Sequence, residues 1–252
     1  MVVSGYLNKE GESLTPFYNL ITTKTTWLKH TVTPWVKTSD EQPASQPNNT
    51  ARILHYASAL RLISTHTTIP VPRLLGSGIN PDGNTWIELE RSHGVWLDVV
   101  HDQCRMPPTQ KHVPDGEECA QCDRIARANA RRFIADEVIP QLAALRSDTT
   151  GLEGLVVPPL WVTFHDKGVV WPVKTAAAEE GGRGKYVCCH GNLHSHSIMV
   201  HPETLHVMKI VDWEDAGYFP EEFLGVWSVE RREHERLYED GERRERLARL
   251  ML

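Results

Sequence analysis

The densest group of reactive side chains lies at residues 190–200, HGNLHSHSIMV, which combine imidazole, amide and hydroxyl groups. A second polar segment, residues 210–217 (IVDWEDAG), places Asp212 directly after an apolar pair. A polar loop beside a strand that ends in a carboxylate brings proton-transfer groups close to an oxygen ligand for a hard cation. The candidate chemistry is therefore acid–base catalysis, orientation of a nucleophile, or cation binding.

Short strands and helices are predicted to position these two segments. Apolar runs at residues 185–189, 198–200 and 205–212 predict a β-loop-β-turn-β unit. Upstream, apolar residues at spacings of three and four predict a helix over residues 51–66. A turn at residues 80–84 then predicts a hairpin. A long amphipathic helix is predicted over residues 122–146 despite Pro140, whereas the polar first 50 residues show only a short β-like segment near 31–38.

The two polar segments resemble the catalytic and metal-binding motifs of the aminoglycoside phosphotransferase family, which includes choline-kinase-like enzymes, and especially its fungal-type members. The family patterns read His-Gly-Asp-Leu-His-x-x-Asn-Ile-Leu-Val and Ile-Ile-Asp-Trp-Glu-x-Ala-Gly. The resemblance covers residues 51–223. It implies an α/β (α+β) class, protein-kinase-like two-lobed fold, with a reduced N-terminal lobe at residues 1–93 and a mainly helical C-terminal lobe at 94–252. The second lobe would hold a catalytic-loop-like unit at 186–217 and a charged helix at 221–250.

The same resemblance implies a role for each matching position. Asp212 stands where the family has its metal-binding carboxylate, and Ser197 stands where the loop has its metal-binding Asn. Asn192 replaces the catalytic Asp, and its amide binds hydrogen-bond partners but does not accept a proton at neutral pH. Lys37 is the candidate for the lysine that contacts nucleotide phosphates. Tyr56 replaces the helix Glu that would hold this lysine, so we expect no Lys–Glu pair.

Three functions are compatible with these substitutions. The first is a small-molecule enzyme that has lost ordinary ATP-dependent phosphotransfer and works by acid–base chemistry, in a setting such as fungal specialised metabolism. Loss of a general base alone removes about 10²–10⁴ in rate. The candidate catalytic residues are Asn192, His194, His196 and Asp212. The second function is a divergent Mg²⁺-ATP-dependent kinase, with Lys37, Ser197 and Asp212 on the metal and nucleotide. The third is a non-catalytic pseudokinase that binds a partner.

Two groups of side chains, one containing histidines and one containing cysteines and a histidine, are compatible with metal binding and with other roles. His194 and His196 could bind a metal together with Asp212, act as acid–base groups, or serve the structure. A second group of four zinc-ligand side chains lies in a Pro- and Gly-containing inserted loop at residues 102–122, namely Cys104, His112, Cys119 and Cys122. Their spacing matches no common zinc finger, so structural zinc and free thiols both remain open.

Composition excludes several classes of function. The chain has 252 residues, a net charge of −6 and 40% hydrophobic residues, which is ordinary for a globular protein and disfavours nucleic-acid binding. No apolar run approaches the length of a membrane span, and the first residues lack a secretory pattern. The chain has five cysteines, an odd number, so the cysteines do not form a complete set of disulfide pairs. We therefore expect a cytoplasmic protein with a small-molecule substrate, no nucleic-acid partner and no membrane partner.

Overall fold

The computed structural model describes residues 11–14, 18–31, 49–163, 171–176 and 184–252. Its first lobe contains three strands, β1 (Gly11–Leu14), β2 (Tyr18–Thr22) and β3 (Thr26–Thr31), followed by helix α1 (Asn49–His66). Strands β4 (Leu74–Ile79) and β5 (Thr85–Glu90) complete an antiparallel sheet in the order β1-β2-β3-β5-β4. Helix α1 packs against this sheet.

Hydrophobic periodicity explains the elements that the sequence predicted here. Ile53, Ala57, Leu60 and Ile63 are buried on one face of α1, which confirms the predicted helix. Alternate residues of β5 are buried, as expected for a strand with one face on the core. The predicted hairpin is also confirmed, because β4 and β5 pair antiparallel on either side of residues 80–84.

The sequence predicts only a short β segment near residues 31–38, whereas the structure contains strands β1 to β3 before it. Thr31 ends β3, and the rest of that segment, including Lys37, lies outside the described residues. The strands gain stability from pairing along their length, since β3 pairs with β2 on one side and with β5 on the other. In β2 and β3 few residues are buried, so the apolar pattern of these two strands is weak.

The second lobe begins with β6 (Val95–Trp96) and a 3₁₀ helix at Leu97–Asp102. The predicted long helix is present as α2 (Ala120–Phe133), a π-helical segment (Ile134–Val138) and α3 (Ile139–Ala144). The wider turn accommodates Pro140, which lacks a donor N–H and would clash with a carbonyl in a regular helix. The N–H of Ile139 accordingly reaches back five residues to the carbonyl of Ile134.

The predicted β-loop-β-turn-β unit is confirmed and lies at the centre of the second lobe. The lobe continues with strand β7 (Arg146–Ser147) and helix α4 (Leu160–Thr163). Six short strands follow: β8 (Tyr186–Cys189), β9 (Leu193–His194), β10 (Ile198–Val200), β11 (Val207–Ile210), β12 (Gly217–Phe219) and β13 (Trp227–Ser228). Strand β10 pairs with β11 and β6, and β8 pairs with β12 and β7. The polar loop is therefore held between β8 and β10.

The segment predicted as one charged helix over residues 221–250 forms two helices, α5 (Arg231–Glu239) and α6 (Gly241–Arg249). Asp240 separates them and caps α6 by accepting the N–H of Arg243 at 2.9 Å. His234, Leu237 and Leu247 are buried, so one side of this tail packs on the lobe. No helix in the described ranges is both long and apolar enough to cross a membrane.

Candidate functional site

Helix α1 holds the turn that carries Asp212. The backbone N–H of Asp212 donates to the hydroxyl of Tyr56 at 2.9 Å. One helical turn earlier, Arg52 forms a fully buried ion pair with Asp215 and donates to the carbonyl of Pro158 at 2.7 Å. Asp212 itself has a left-handed backbone, with φ of 68°, a conformation that occurs most often at turns and functional sites. Tyr56 thus positions the backbone of the candidate carboxylate.

The Asp212 side chain is solvent-exposed, whereas its neighbours Val211 and Trp213 are buried. Desolvation raises its pKa from 3.8 to about 6, and the charge of Glu214 adds to this effect. The charges of Lys29, His196 and Arg52 act in the opposite direction. Asp212 therefore changes protonation state close to neutral pH, which suits an acid–base group.

A lysine from the first lobe reaches this turn. Lys29 on β3 forms an ion pair with Glu214 at 2.5 Å, and its ammonium lies 4.1 Å from the ring centroid of Tyr18. Burial lowers the pKa of Lys29, but the charges of Glu214 and Tyr18 outweigh it and raise the pKa above its ordinary value. Burial alone would raise the pKa of Glu214. The charge of Lys29 and its hydrogen bond to Glu214 act in the opposite direction, and the resulting pKa is below the ordinary value. Both groups are therefore charged at neutral pH.

This pair is different from the lysine–helix glutamate pair whose absence the sequence predicts. A lysine–carboxylate pair is present, but its lysine is Lys29 and its acid is Glu214 of the Asp-Trp-Glu turn, not a residue of α1. Lys37, the sequence candidate, lies outside the described residues. Lys29 carried no distinguishing sequence signal, whereas Glu214 lay within the recognised motif.

The loop between β8 and β10 is anchored by its first residues. Buried His190 donates from Nε2 to the carbonyl of Val211 at 2.9 Å and accepts the Asn192 N–H at Nδ1. Desolvation lowers its pKa to about 4, so the ring is neutral with one defined tautomer. Gly191 has φ of 81°, and a Cβ there would collide with the carbonyl oxygen of Asp215. The loop and the Asp212–Asp215 turn are thus in close backbone contact.

Two of the candidate residues serve the loop itself. The buried Ser197 hydroxyl donates to the carbonyl of His194 at 2.9 Å and accepts the His194 N–H at 2.9 Å. These bonds use the hydroxyl inside the loop and favour a structural role over cofactor binding. The His194 ring stacks on His234 of α5 with centroids 3.8 Å apart, and burial lowers its pKa well below the ordinary value. The His194 ring is therefore neutral at pH 7 and packs on α5.

His196 has a different environment. Its Nδ1 lies 3.0 Å from a carboxylate oxygen of Asp98, on the 3₁₀ helix after β6. Asp98 is 6% exposed, whereas His196 is 28% exposed and is accessible to a ligand. Asn192, on the same loop, has a buried side-chain oxygen with no hydrogen-bond partner in the described part of the chain. Asp98 lies in no motif of the sequence, so the sequence alone does not identify it.

The structure thus places Asn192, His194, His196 and Ser197 on one loop and Asp212 on the neighbouring turn. His196 and Asp212 are close enough for their charges to interact. His194, His196 and Asp212 do not converge as metal ligands; in the described ranges, the group of three or more ligands that does converge is Cys104, His112, Cys119 and Cys122. Metal binding by Asp212 stays a prediction from the resemblance.

No protein-family profile matches the sequence, and no curated protein matches it significantly. Among solved structures, the chain is similar to the GDP complex of a point mutant of aminoglycoside 2'-phosphotransferase IIIa, with a TM-score of 0.50, 12% identity, and coverage of 96% of this chain and 80% of that one. A type VIII aminoglycoside 3'-phosphotransferase gives a TM-score of 0.47 at 16% identity, with coverage of 99% and 84%. At this identity the similarity shows the fold alone. The predicted two-lobed, kinase-like fold is confirmed.

Proposed function

We propose that the protein binds a small organic molecule in the cleft beside Asp212 and transforms it by acid–base chemistry, without efficient ATP-dependent phosphotransfer. The observation that carries the proposal is the 3.0 Å contact between His196 and Asp98, on a loop whose usual catalytic carboxylate position holds Asn192. The site therefore contains a different proton acceptor from the one that the resemblance implies.

The His196–Asp98 pair has the chemistry of an oriented base. When Nδ1–H donates to the Asp98 carboxylate, Nε2 carries the lone pair that accepts a proton from a substrate. Asp212, with a pKa of about 6, supplies a carboxyl group that is partly protonated near neutral pH. The Asn192 amide would hydrogen-bond a substrate. We assign His196 as base, Asp212 as acid and Asn192 as a substrate-orienting group.

Three features argue against efficient phosphotransfer. Transfer of a phosphoryl group needs a base or orienting carboxylate, metal ligands and a lysine on the phosphates. Asn192 does not accept a proton, and Ser197 uses its hydroxyl within the loop. Lys29 is already paired with Glu214, which adds a second negative charge near Asp212. A nucleotide would have to compete with this carboxylate for the lysine.

The second candidate is a magnesium- and nucleotide-dependent small-molecule phosphotransferase. The observation that favours it is the Lys29–Glu214 pair beside Asp212, which bridges the two lobes where a kinase-like fold holds phosphates. One of the similar solved structures is a GDP complex. In this alternative Asp212 would hold the metal, and His196 would accept the proton of the substrate hydroxyl.

Nucleotide binding separates the two candidates. We expect no thermal stabilisation of the protein by millimolar Mg²⁺-ATP or Mg²⁺-GTP. A nucleotide at tenfold its Kd would stabilise the fold by about 1.4 kcal/mol, or roughly 3–6 °C for a chain of this size. Such a shift in the wild type that disappears in Lys29→Met would overturn the first proposal in favour of the second.

The acid–base assignment is tested in cells that express the protein. We expect the wild type to change the small-molecule profile, and His196→Gln and Asp98→Asn to abolish or strongly reduce the change. His206→Gln is the matched control, because His206 is exposed on the same unit. A folded His196→Gln protein with an unchanged profile relative to wild type would contradict the assignment. A wild-type profile identical to that of the empty vector would count against catalysis.

A further inference from the structure

Four metal-ligand side chains converge in the segment that runs from the end of the 3₁₀ helix to the first turn of α2. The ligand atoms of Cys104, His112, Cys119 and Cys122 all lie within 4.8 Å of one another. Nδ1 of His112 lies 3.8, 3.4 and 3.6 Å from the sulfurs of Cys104, Cys119 and Cys122. The sulfurs of Cys104 and Cys122 are 3.9 Å apart.

These separations match tetrahedral zinc. Zn–S bonds of about 2.3 Å and Zn–N bonds of about 2.0–2.1 Å place the sulfurs about 3.8 Å from one another and about 3.5 Å from the nitrogen. A hydrogen-bond network does not explain them equally well. One ring nitrogen carries at most one hydrogen, yet Nδ1 of His112 lies at similar distances from three sulfurs. A central cation would contact all four atoms.

Backbone N–H donors orient the three sulfurs. The N–H of Arg105 donates to the sulfur of Cys122 at 3.3 Å, and the N–H of His112 donates to that of Cys104 at 3.3 Å. Cys119 accepts the N–H of Cys122 at 3.5 Å, at the start of α2. Each sulfur therefore accepts a main-chain hydrogen bond of the kind that orients thiolate ligands around a metal.

We propose that Cys104, His112, Cys119 and Cys122 bind a single Zn²⁺ ion as a structural Cys₃His site. Three thiolates and one imidazole in tetrahedral positions suit zinc better than magnesium or calcium, which prefer oxygen ligands. The protein supplies all four ligands, so no position is left open for a substrate. The exposed His112 closes the site over Cys119 and Cys122, which are buried.

The site also stabilises the element that carries Asp98. The N–H of Cys119 donates to the carbonyl of His101 at 2.7 Å, at the end of the 3₁₀ helix. The side chain of Arg105, next to the first ligand, donates to the carbonyl of Val99 at 3.3 Å. Zinc would therefore hold the segment that presents Asp98 to His196. This last consequence rests on the proposed function, whereas zinc binding does not.

Metal analysis of the purified protein tests the site directly. We expect about one zinc ion per chain by elemental mass spectrometry after expression in zinc-supplemented medium. Cys104→Ser and His112→Asn should weaken binding at least about tenfold, since loss of an outer-shell partner alone costs that much. Cys188→Ala is the control, because Cys188 is buried outside the site. Zinc well below one per chain in folded wild type, or equal content in all variants, would overturn the proposal.

Cobalt substitution distinguishes ligation from nonspecific binding. We expect Co²⁺ to give thiolate-to-metal charge-transfer absorption and the strong visible bands of a tetrahedral site. Cys104→Ser should weaken the charge-transfer absorption. His112→Asn, an exposed position, should alter the visible bands while circular dichroism shows an intact fold. Metal-free, folded protein with a disulfide between Cys104 and Cys122 after anaerobic, zinc-supplemented preparation would refute the site, whatever the outcome of the activity experiments.

Discussion

Asp212→Asn should stabilise the protein at neutral pH and leave its stability unchanged in acid. The folded structure raises the pKa of this carboxyl from 3.8 to about 6. The folded state therefore binds the proton more tightly than the unfolded state. Stability from this group is fully present below about pH 4 and is lost as the pH rises through about 6. The neutral amide of Asn at position 212 does not ionise, so the variant does not lose this stability at neutral pH.

The magnitude follows from the pKa difference and the exposure of the side chain. The change from 3.8 to about 6 corresponds to about 3 kcal/mol for a group shielded from water. Because Asp212 is solvent-exposed, screening reduces this value, and we expect a gain of about 1 kcal/mol in the free energy of unfolding. The melting temperature should rise by about 2–4 °C. Asparagine tolerates the left-handed backbone at this position, so the substitution adds no backbone cost.

Urea denaturation of wild type and variant at about pH 4 and about pH 7.5 measures the effect. Asp136→Asn is the control, since Asp136 is exposed on the π-helical segment. A stability change of equal size at both pH values would refute the reasoning, because it would show that the effect does not come from ionisation. Destabilisation at the higher pH would show that the charged form is favoured in the folded site.

Three further substitutions test the contacts that position the site. Arg52→Met should lower the free energy of unfolding in urea by about 3–5 kcal/mol, because it leaves the buried Asp215 carboxylate without its cation. The control is Arg61→Met at an exposed position, and a loss no larger than that of the control would contradict the prediction. Gly191→Ala should lower the urea midpoint far more than Gly83→Ala. Gly83 also has a positive φ, 84°, but a Cβ at this position would meet no atom within 4 Å. Equal losses in the two variants would show that the close approach of Gly191 to Asp215 is unimportant. Tyr56→Phe should cost about 1 kcal/mol and speed hydrogen exchange at the Asp212 amide, and an unchanged exchange rate would argue against that hydrogen bond.

Local patterns were sufficient for much of the fold. The spacing of Ile53, Leu60 and Ile63 predicted α1, and the turn at residues 80–84 predicted the hairpin, since both signals depend on neighbouring residues. The same is true of the loop at residues 190–200 and of Asp212, which lie in contiguous motifs. Strands β1 to β3 were missed because their stability comes from partner strands and not from an apolar alternation of their own.

The sequence by itself determined the fold class, the reactive loop and the absence of a carboxylate at position 192. Only the tertiary structure decided which charges meet. Lys29 and Glu214 are 185 positions apart, and Asp98 comes from an unmarked turn almost a hundred positions before His196. Electrostatic pairing depends on distance in space and on local burial, and neither is encoded in the spacing of residues along the chain.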